Sequence, residues 1–502
     1  MMKFLNRKDF LRLSTGIGFG IATGTKTFFG KDGKLVADEQ RITPIIRKGE
    51  KQLFVDNVML AHLIGIQRKA HAASKLDQPV LTADMPWELG EVYEGQPDKR
   101  VYIYGTVLKD PETGTFKMWY NRYRNNYYAV SEDGVHWERP VLDQFGKNNT
   151  INLFDFHSPS IIRDDFEKDP EKRYKAVGSS RNGYKSAYST DGLNWKLYNE
   201  NPVLESFDTI TLSQDSETGE YLAFHKIHND PRTLPIARQV YLSISKDMQN
   251  WSEPELVMIT DELDHQQARL LEGGTHSEFY NMSAFPHGNQ WLGLVTHFRR
   301  TGEPKLIKFE GGGNAQSMAD GPIDIQLVHS RDGRNWERCS DRSAVIPLGP
   351  HSYDSGSILG LCNSPVVVGD EMWMYYTAMT TTHGGALPEK QMSIARASWR
   401  LDGMASLQAG ETEGVVETNT FISEENNLSM NADISKGRLR VEVLDVNRDV
   451  IRGYEKENCV ISNRDAIELP IQWSDSQKLP SGIPIRLRFY LKQGDLFSYT
   501  IT

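Results

Sequence analysis

Three carboxylates stand at one recurring point of this 502-residue chain. Asp208, Glu278 and Asp354 each open a short run that reads as a strand: Asp208-Thr-Ile-Thr-Leu212, Glu278-Phe-Tyr-Asn-Met282 and Asp354-Ser-Gly-Ser-Ile358. Acids gathered in one cleft can break an acetal. One protonates the leaving oxygen and a second acts as base or nucleophile. A third raises the pKa of the acid by like-charge repulsion. His157, Arg163, Tyr280 and Arg299 fall near positions of the same kind. They offer hydrogen bonds to sugar hydroxyls, or to a sulfate or carboxylate group. The plainer reading, that each acid caps a loop or bonds backbone amides, stays open for each residue.

Convergence of the acids depends on a repeat. Ser131-Glu-Asp-Gly-Val-His-Trp137 returns as Ser189-Thr-Asp-Gly-Leu-Asn-Trp195, Ser245-Lys-Asp-Met-Gln-Asn-Trp251 and Ser330-Arg-Asp-Gly-Arg-Asn-Trp336, at intervals of 58, 56 and 85 residues. A strand ending in Ser, a tight Asp-Gly turn and a returning Trp mark a hairpin. A degenerate fifth copy is Met392–Trp399 followed by Asp402-Gly403. Before each copy lies a buried-strand pattern, such as Phe116-Lys-Met-Trp-Tyr120 or Met372-Trp-Met-Tyr-Tyr-Thr377. One shorter strand precedes that again. Strands in units of about 60 residues, with no helical pattern between them, predict a propeller. Five units close radially and leave no long sheet edge exposed. Their innermost strands then start at Tyr104, His157, Asp208, Glu278 and Asp354. The motif tryptophans are expected to pack between blades, and the motif itself punctuates structure rather than chemistry.

From about Gly410 the pattern changes. Arg438-Leu-Arg-Val-Glu-Val-Leu444 alternates strictly, and Ile485-Arg-Leu-Arg-Phe-Tyr-Leu491 does the same. One face of each is buried and one is wet, which predicts a small β-sandwich. The expected organisation is therefore all-β, a five-bladed β-propeller over 45–405 followed by a C-terminal β-sandwich over 410–502.

Net charge is −10, opposite in sign to a nucleic-acid binder. Beyond the N-terminus no apolar run approaches the roughly 20 residues of a membrane span. Asn6-Arg-Lys-Asp-Phe-Leu-Arg-Leu-Ser14 precedes a weakly apolar, Gly-rich stretch. That layout is a signal peptide's, with a twin-arginine-like string in which Lys replaces the second Arg. Residues 1–37 are read as an export segment, and the protein as periplasmic or extracellular. Cys339, Cys362 and Cys459 fit neither a disulfide framework nor a metal-ligand spacing; buried free thiols are expected. No cofactor is indicated. His157 and His276 could neighbour a cation, but their spacing is not diagnostic.

Leu53-Phe-Val-Asp-Asn57, Pro79-Val-Leu81, Phe116–Tyr120 and Ser131–Trp137 resemble exported proteins described as similar to glycoside hydrolase family 32. Trp399-Arg-Leu-Asp-Gly403 and Ala409–Gly414 resemble the sandwich that follows the propeller in the same proteins. The wider group includes family 43. The resemblance implies a five-bladed propeller and a carbohydrate substrate. The family 32 motifs Trp-x-Asn-Asp-Pro-Asn-Gly, Arg-Asp-Pro and Glu-Cys are absent, and the first inner strand lacks the aspartate of family 43. The three acids therefore rest on repeat phase alone. The function expected is glycoside hydrolysis at the funnel mouth, and the main alternative is a carbohydrate-binding propeller without turnover. A sialidase-like enzyme would need a motif one residue longer, and a polysaccharide lyase would use Tyr or His as base.

Overall fold

The computed structural model describes residues 43–502, except 200, 206–207, 228–237, 303–316, 318 and 340–341. The expected export segment, residues 1–37, lies outside the described residues. Two compact units emerge, one of residues 70–404 and one that joins residues 43–69 to 405–502.

The larger unit is a five-bladed β-propeller of antiparallel sheets. From the axis outward, blade 1 runs Tyr102–Lys109, Phe116–Arg122, Asn125–Ser131 and Thr150–Ile151. Blade 2 runs His157–Arg163, Tyr174–Ser180, Gly183–Ser189 and Trp195–Leu197. Blade 3 runs Ile210–Gln214, Tyr221–His225, Val240–Ser245 and Glu255–Met258. Blade 4 runs Ser277–His287, Gln290–Arg299, Ile323–Ser330 and Trp336–Arg338. Blade 5 takes Ser357–Leu361, Glu371–Met379 and Met392–Arg400 from the end of the unit, and its outer strand Ser74–Lys75 from the start. The ring thus closes by pairing the two ends of the unit.

The four full motif copies fold alike because their Ser and Asp side chains complete the turn. In the second copy Ser189 Oγ accepts from the Asp191 and Gly192 amides, at 3.2 and 2.9 Å. Asp191 Oδ1 accepts from the Leu193 and Asn194 amides, each at 2.8 Å. The Trp195 indole donates to the Gly192 carbonyl at 3.0 Å. Such local bonds satisfy groups the ladder leaves free. Gly192 has φ +80°, and a Cβ there would lie 2.7 Å from Trp119 of blade 1. Its carbonyl also accepts from the Trp119 indole at 2.7 Å. The turn of one blade is therefore a socket for the aromatic of the blade before it. Met248 takes the glycine's place in the third copy, at φ +66°. The degenerate fifth copy departs from this pattern: Asp402 receives His287 Nε2 at 2.7 Å, and the Trp399 indole donates to the His71 carbonyl.

Inner strands of adjacent blades do not form one ladder, so hydroxyls and amides stitch them. Thr106 Oγ1 donates to the Ile161 carbonyl at 2.7 Å and accepts from its amide at 2.8 Å. Ser160 Oγ accepts from the Leu212 amide, and Asn363 Nδ2 donates to the Ile161 and Leu212 carbonyls. A Cβ on Gly105 would lie 1.9 Å from the Pro159 carbonyl oxygen, so glycine permits blades 1 and 2 to approach.

In the second unit the strands wrap one core. The 17-residue strand Leu428–Leu444 pairs with Val460–Ile471, Arg486–Lys492 and Gly494–Ile501, and shifts register between Ile434 and Arg438. Leu439, Val441 and Val443 are buried, with Leu487, Phe489 and Leu491 opposite, as the alternation predicts. Residues 45–69 belong here rather than to the propeller, which corrects the expected boundary. Ile45–Ile46 pairs with Ile422–Ser423, Leu60–Ile64 with Gly414–Thr418, and Phe54 packs on Phe489 and Tyr499. The segment carries no blade motif, and its buried apolar residues complete this core.

All three cysteines are buried and free. Among the described residues no helix is long and apolar enough to cross a membrane.

Candidate active site

Asp208 lies two residues ahead of the inner strand of blade 3. Its φ is +103°, a left-handed value that costs an aspartate energy and that the surrounding contacts maintain. Its amide donates to Ser179 Oγ at 3.0 Å. Within the hairpin Ile210 faces His225, so the chain leaves the second strand at Lys226 beside the point where it enters the first at Asp208. The ammonium of Lys226 meets Asp208 Oδ2 at 2.6 Å. It also lies 3.7 Å above the ring of Tyr280 on the inner strand of blade 4.

A second ion pair neighbours the same ring. Glu278 Oε2 takes Arg238 at 2.5 Å, and Oε1 takes Arg300 and His276 at 3.2 Å each. The Arg238 guanidinium is 5.4 Å from the Tyr280 ring centroid. Tyr280 therefore joins the two pairs. Behind it stands His383, 5.2 Å from Tyr280 and 5.0 Å from Phe298. Tyr102, Tyr104 and His157 form a cluster with centroids 5.9–6.1 Å apart, its two tyrosines packed with Tyr280 in one buried group.

The charges follow from this packing. Burial alone would push Asp208 up, yet Lys226, His157 and Arg238 bring its carboxyl down to about 2. Glu278 is likewise held down to about 2 against its burial, by His276, Arg238 and Arg300. Lys226 is pushed down to about 8, since burial outweighs the attraction of Asp208. His157 falls to about 4, chiefly by burial, and is neutral at ordinary pH. Both acids are thus ionised at ordinary pH, and of these four groups Lys226 is the one that titrates nearest neutrality.

Among the residues singled out from sequence, Asp208, Glu278, His157 and Tyr280 come to the mouth. Asp354 does not. It ends a turn of 3₁₀ helix, Ser352–Asp354, fully buried in blade 5, where it binds Lys75 at 2.6 Å and the Tyr376 hydroxyl at 2.9 Å. The turn displaces it from the phase of Asp208, and the lysine of the closing strand takes its charge. Arg163 stands at the far end of its strand from His157, about 20 Å away at ordinary strand rise, paired with Asp165 at 3.2 Å and Glu112 at 3.5 Å. Arg299 bonds Asp324 at 2.5 Å. Side chains alternate along a strand, so its neighbour Arg300 faces Glu278 instead.

Lys226, Arg238 and Arg300 were not legible as site residues. Lys226 and Arg300 follow second strands and Arg238 precedes a third, so none opens an inner strand, and no motif marks them. The one available signal was hairpin register, which sets Lys226 opposite the Asp208 entry. Among the described residues no group of three or more His, Cys, Asp or Glu could hold a metal ion.

No family profile matches the chain, and no curated protein matches its sequence. Solved structures resemble it weakly in shape. An N-acetylgalactosamine deacetylase from F. plautii, in complex with blood group B trisaccharide, is 15% identical over 67% of this chain and 96% of its own, with a TM-score of 0.43. A glycoside hydrolase family 32 β-fructofuranosidase from Bombyx mori is 10% identical over 84% and 94%, at 0.39. A β-1,2-mannobiose phosphorylase from Listeria innocua is 11% identical over 67% and 97%, at 0.38. No residue role passes from them to this chain.

Proposed function

We propose that the protein is a carbohydrate-active enzyme that hydrolyses a glycosidic bond at the mouth of the propeller funnel. One observation carries the reading: Asp208, an ionised and quarter-exposed carboxylate on strained backbone, is set against a lysine that itself rests on a tyrosine ring. Tyr102, Tyr104 and Tyr280 are buried and pack together as the support on which this pair rests. An ionised Asp208 takes the proton of the attacking water. Lys226, mostly protonated at pH 7, returns a proton to the leaving oxygen, so the water is added across the C–O bond and the protons balance. Glu278, closed in by three cationic or donor groups, does not touch substrate; it positions Arg238 and Arg300. Hydrolysis by three carboxylates is thereby reduced to one carboxylate and one ammonium.

The test is a reducing-sugar assay over a polysaccharide panel. The parent should release reducing ends and Asp208→Asn should release almost none while remaining folded. A second reading, sugar binding without turnover, is favoured by the complete pairing of both mouth carboxylates with cations. It expects affinity for a glycan, equal in parent and variant, and no reducing ends from either.

A further inference from the structure

Among the described residues the funnel mouth holds more cations than carboxylates, in a protein whose overall charge is −10. Lys226 is matched by Asp208. Arg238 and Arg300 share the single charge of Glu278. On the blade 1 side, Arg100 and Arg122 share Asp98, at 2.6 and 3.1 Å. Arg100 also donates to the Tyr123 hydroxyl at 2.7 Å, and Tyr123 lies edge-on to Tyr102, which joins this group to the tyrosine cluster.

Lys390 is the sharpest case. It is 1% exposed, and its ammonium donates to the His383 carbonyl at 2.6 Å and to Ser317 Oγ at 3.2 Å. Among the described residues it has no carboxylate partner. Of the two acids that act on it, Asp320 is occupied by the Gly321 and Gly384 amides at 2.7 and 2.8 Å, and Asp98 by Arg100 and Arg122. Burial and the charge of Arg100 push Lys390 down to about 7. An uncompensated buried cation is costly and its pKa falls in response, and a counter-charge from a bound ligand would relieve that cost. Among the described residues six cations here face four carboxylates.

We infer that the mouth recognises an anionic sugar unit, one that bears a carboxylate or a sulfate ester. The inference rests on the reading of the mouth as a carbohydrate site. Guanidinium forks match either group by two parallel hydrogen bonds. A bound anion would also relieve the repulsion between Arg238 and Lys226, and between Arg100 and Lys390. A neutral sugar would leave both excess charges as they stand.

Isothermal titration of the full chain at fixed ionic strength tests this with three ligands of similar length: a neutral galactan oligosaccharide, an oligogalacturonate and a sulfated galactan oligosaccharide. At least one anionic ligand should bind ten-fold or more tightly than the neutral one, and its affinity should fall with added salt. The winning arm tells carboxylate from sulfate. Lys390→Met should reduce that affinity several-fold, and Lys390→Arg should retain most of it. Equal affinity for all three ligands overturns the anionic inference and leaves the carbohydrate reading standing. No heat from any of them, with folding verified, sinks both.

Discussion

Two aspartate–lysine pairs of the propeller share one bond length, 2.6 Å, and differ in everything else. The pair Asp354–Lys75 is sealed. Its lysine also donates to the Pro347 and Gly349 carbonyls, and its aspartate accepts from Tyr376. Neither side chain is more than 4% exposed. The pair Asp208–Lys226 lies at the mouth, with the carboxylate a quarter exposed and the lysine bonded once and resting on a ring. A short ion pair is therefore no mark of chemistry by itself. Saturation of the partners and access to water separate a ring-closing clasp from a reactive group.

The largest effect should fall on the clasp. Asp354→Asn leaves Lys75 buried without its counter-charge, which costs about 3–5 kcal/mol. Chemical denaturation should show the loss, and the folded fraction should keep the parent's turnover. Next in size is Asp208→Asn. Losing the group that activates water should slow turnover about 10²-fold or more, with a smaller stability change than Asp354→Asn because Asp208 is part-solvated. If the two variants exchange these outcomes, the functional distinction between the pairs is wrong.

A joint replacement sharpens the contrast. Asp354→Leu with Lys75→Met should recover most of the stability lost by Asp354→Asn, since apolar isosteres remove both desolvation penalties. Recovery stays short of complete, for the Tyr376 hydroxyl and two carbonyls lose a partner. At the mouth, Asp208→Leu with Lys226→Met should hold stability near the parent's and leave no turnover.

The same contrast explains what the sequence could show. The Ser-x-Asp-Gly-x-x-Trp turn is written almost wholly in adjacent residues, so four blades announce themselves and the fifth follows from spacing. Repeat phase also locates Asp208 and Glu278. It fails at Asp354 because a turn of 3₁₀ helix inserted before the strand of blade 5 uses residues without advancing the strand, and phase counts residues only. Arg299 fails for a related reason: with a period of two, the choice between it and Arg300 reverses with one residue of register. Lys226 and Arg238 come from the far ends of hairpins, where only three-dimensional closure reveals their neighbours. The stretch 45–69 joins the second unit through strands of two to five residues, too short for a periodic signal.

The smallest effect is one of pH, and it tests the lysine at the mouth alone. Lys226 faces Asp208, Arg238, Glu278, Tyr280 and His157, and is held at about 8. Turnover that needs the ammonium should decline above pH 8, by about tenfold per unit once past the limb. Stability should move the other way. The folded lysine loses its proton near 8 and the unfolded one near 10.5, so between these values the unfolded chain binds more protons and rising pH favours folding. Lys390, at about 7, adds to the same slope from a lower starting point. The carboxylates give a separate acid limb: Asp208 and Glu278, held at about 2 against 3.8 and 4.5, stabilise the fold above pH 4.5 and lose that contribution as pH falls towards 2. Opposed slopes of activity and stability above pH 8 are the signature of one buried lysine doing both. A basic limb in turnover that persists in Lys226→Met, measured as residual activity, assigns the proton elsewhere and leaves Asp208 without its acid.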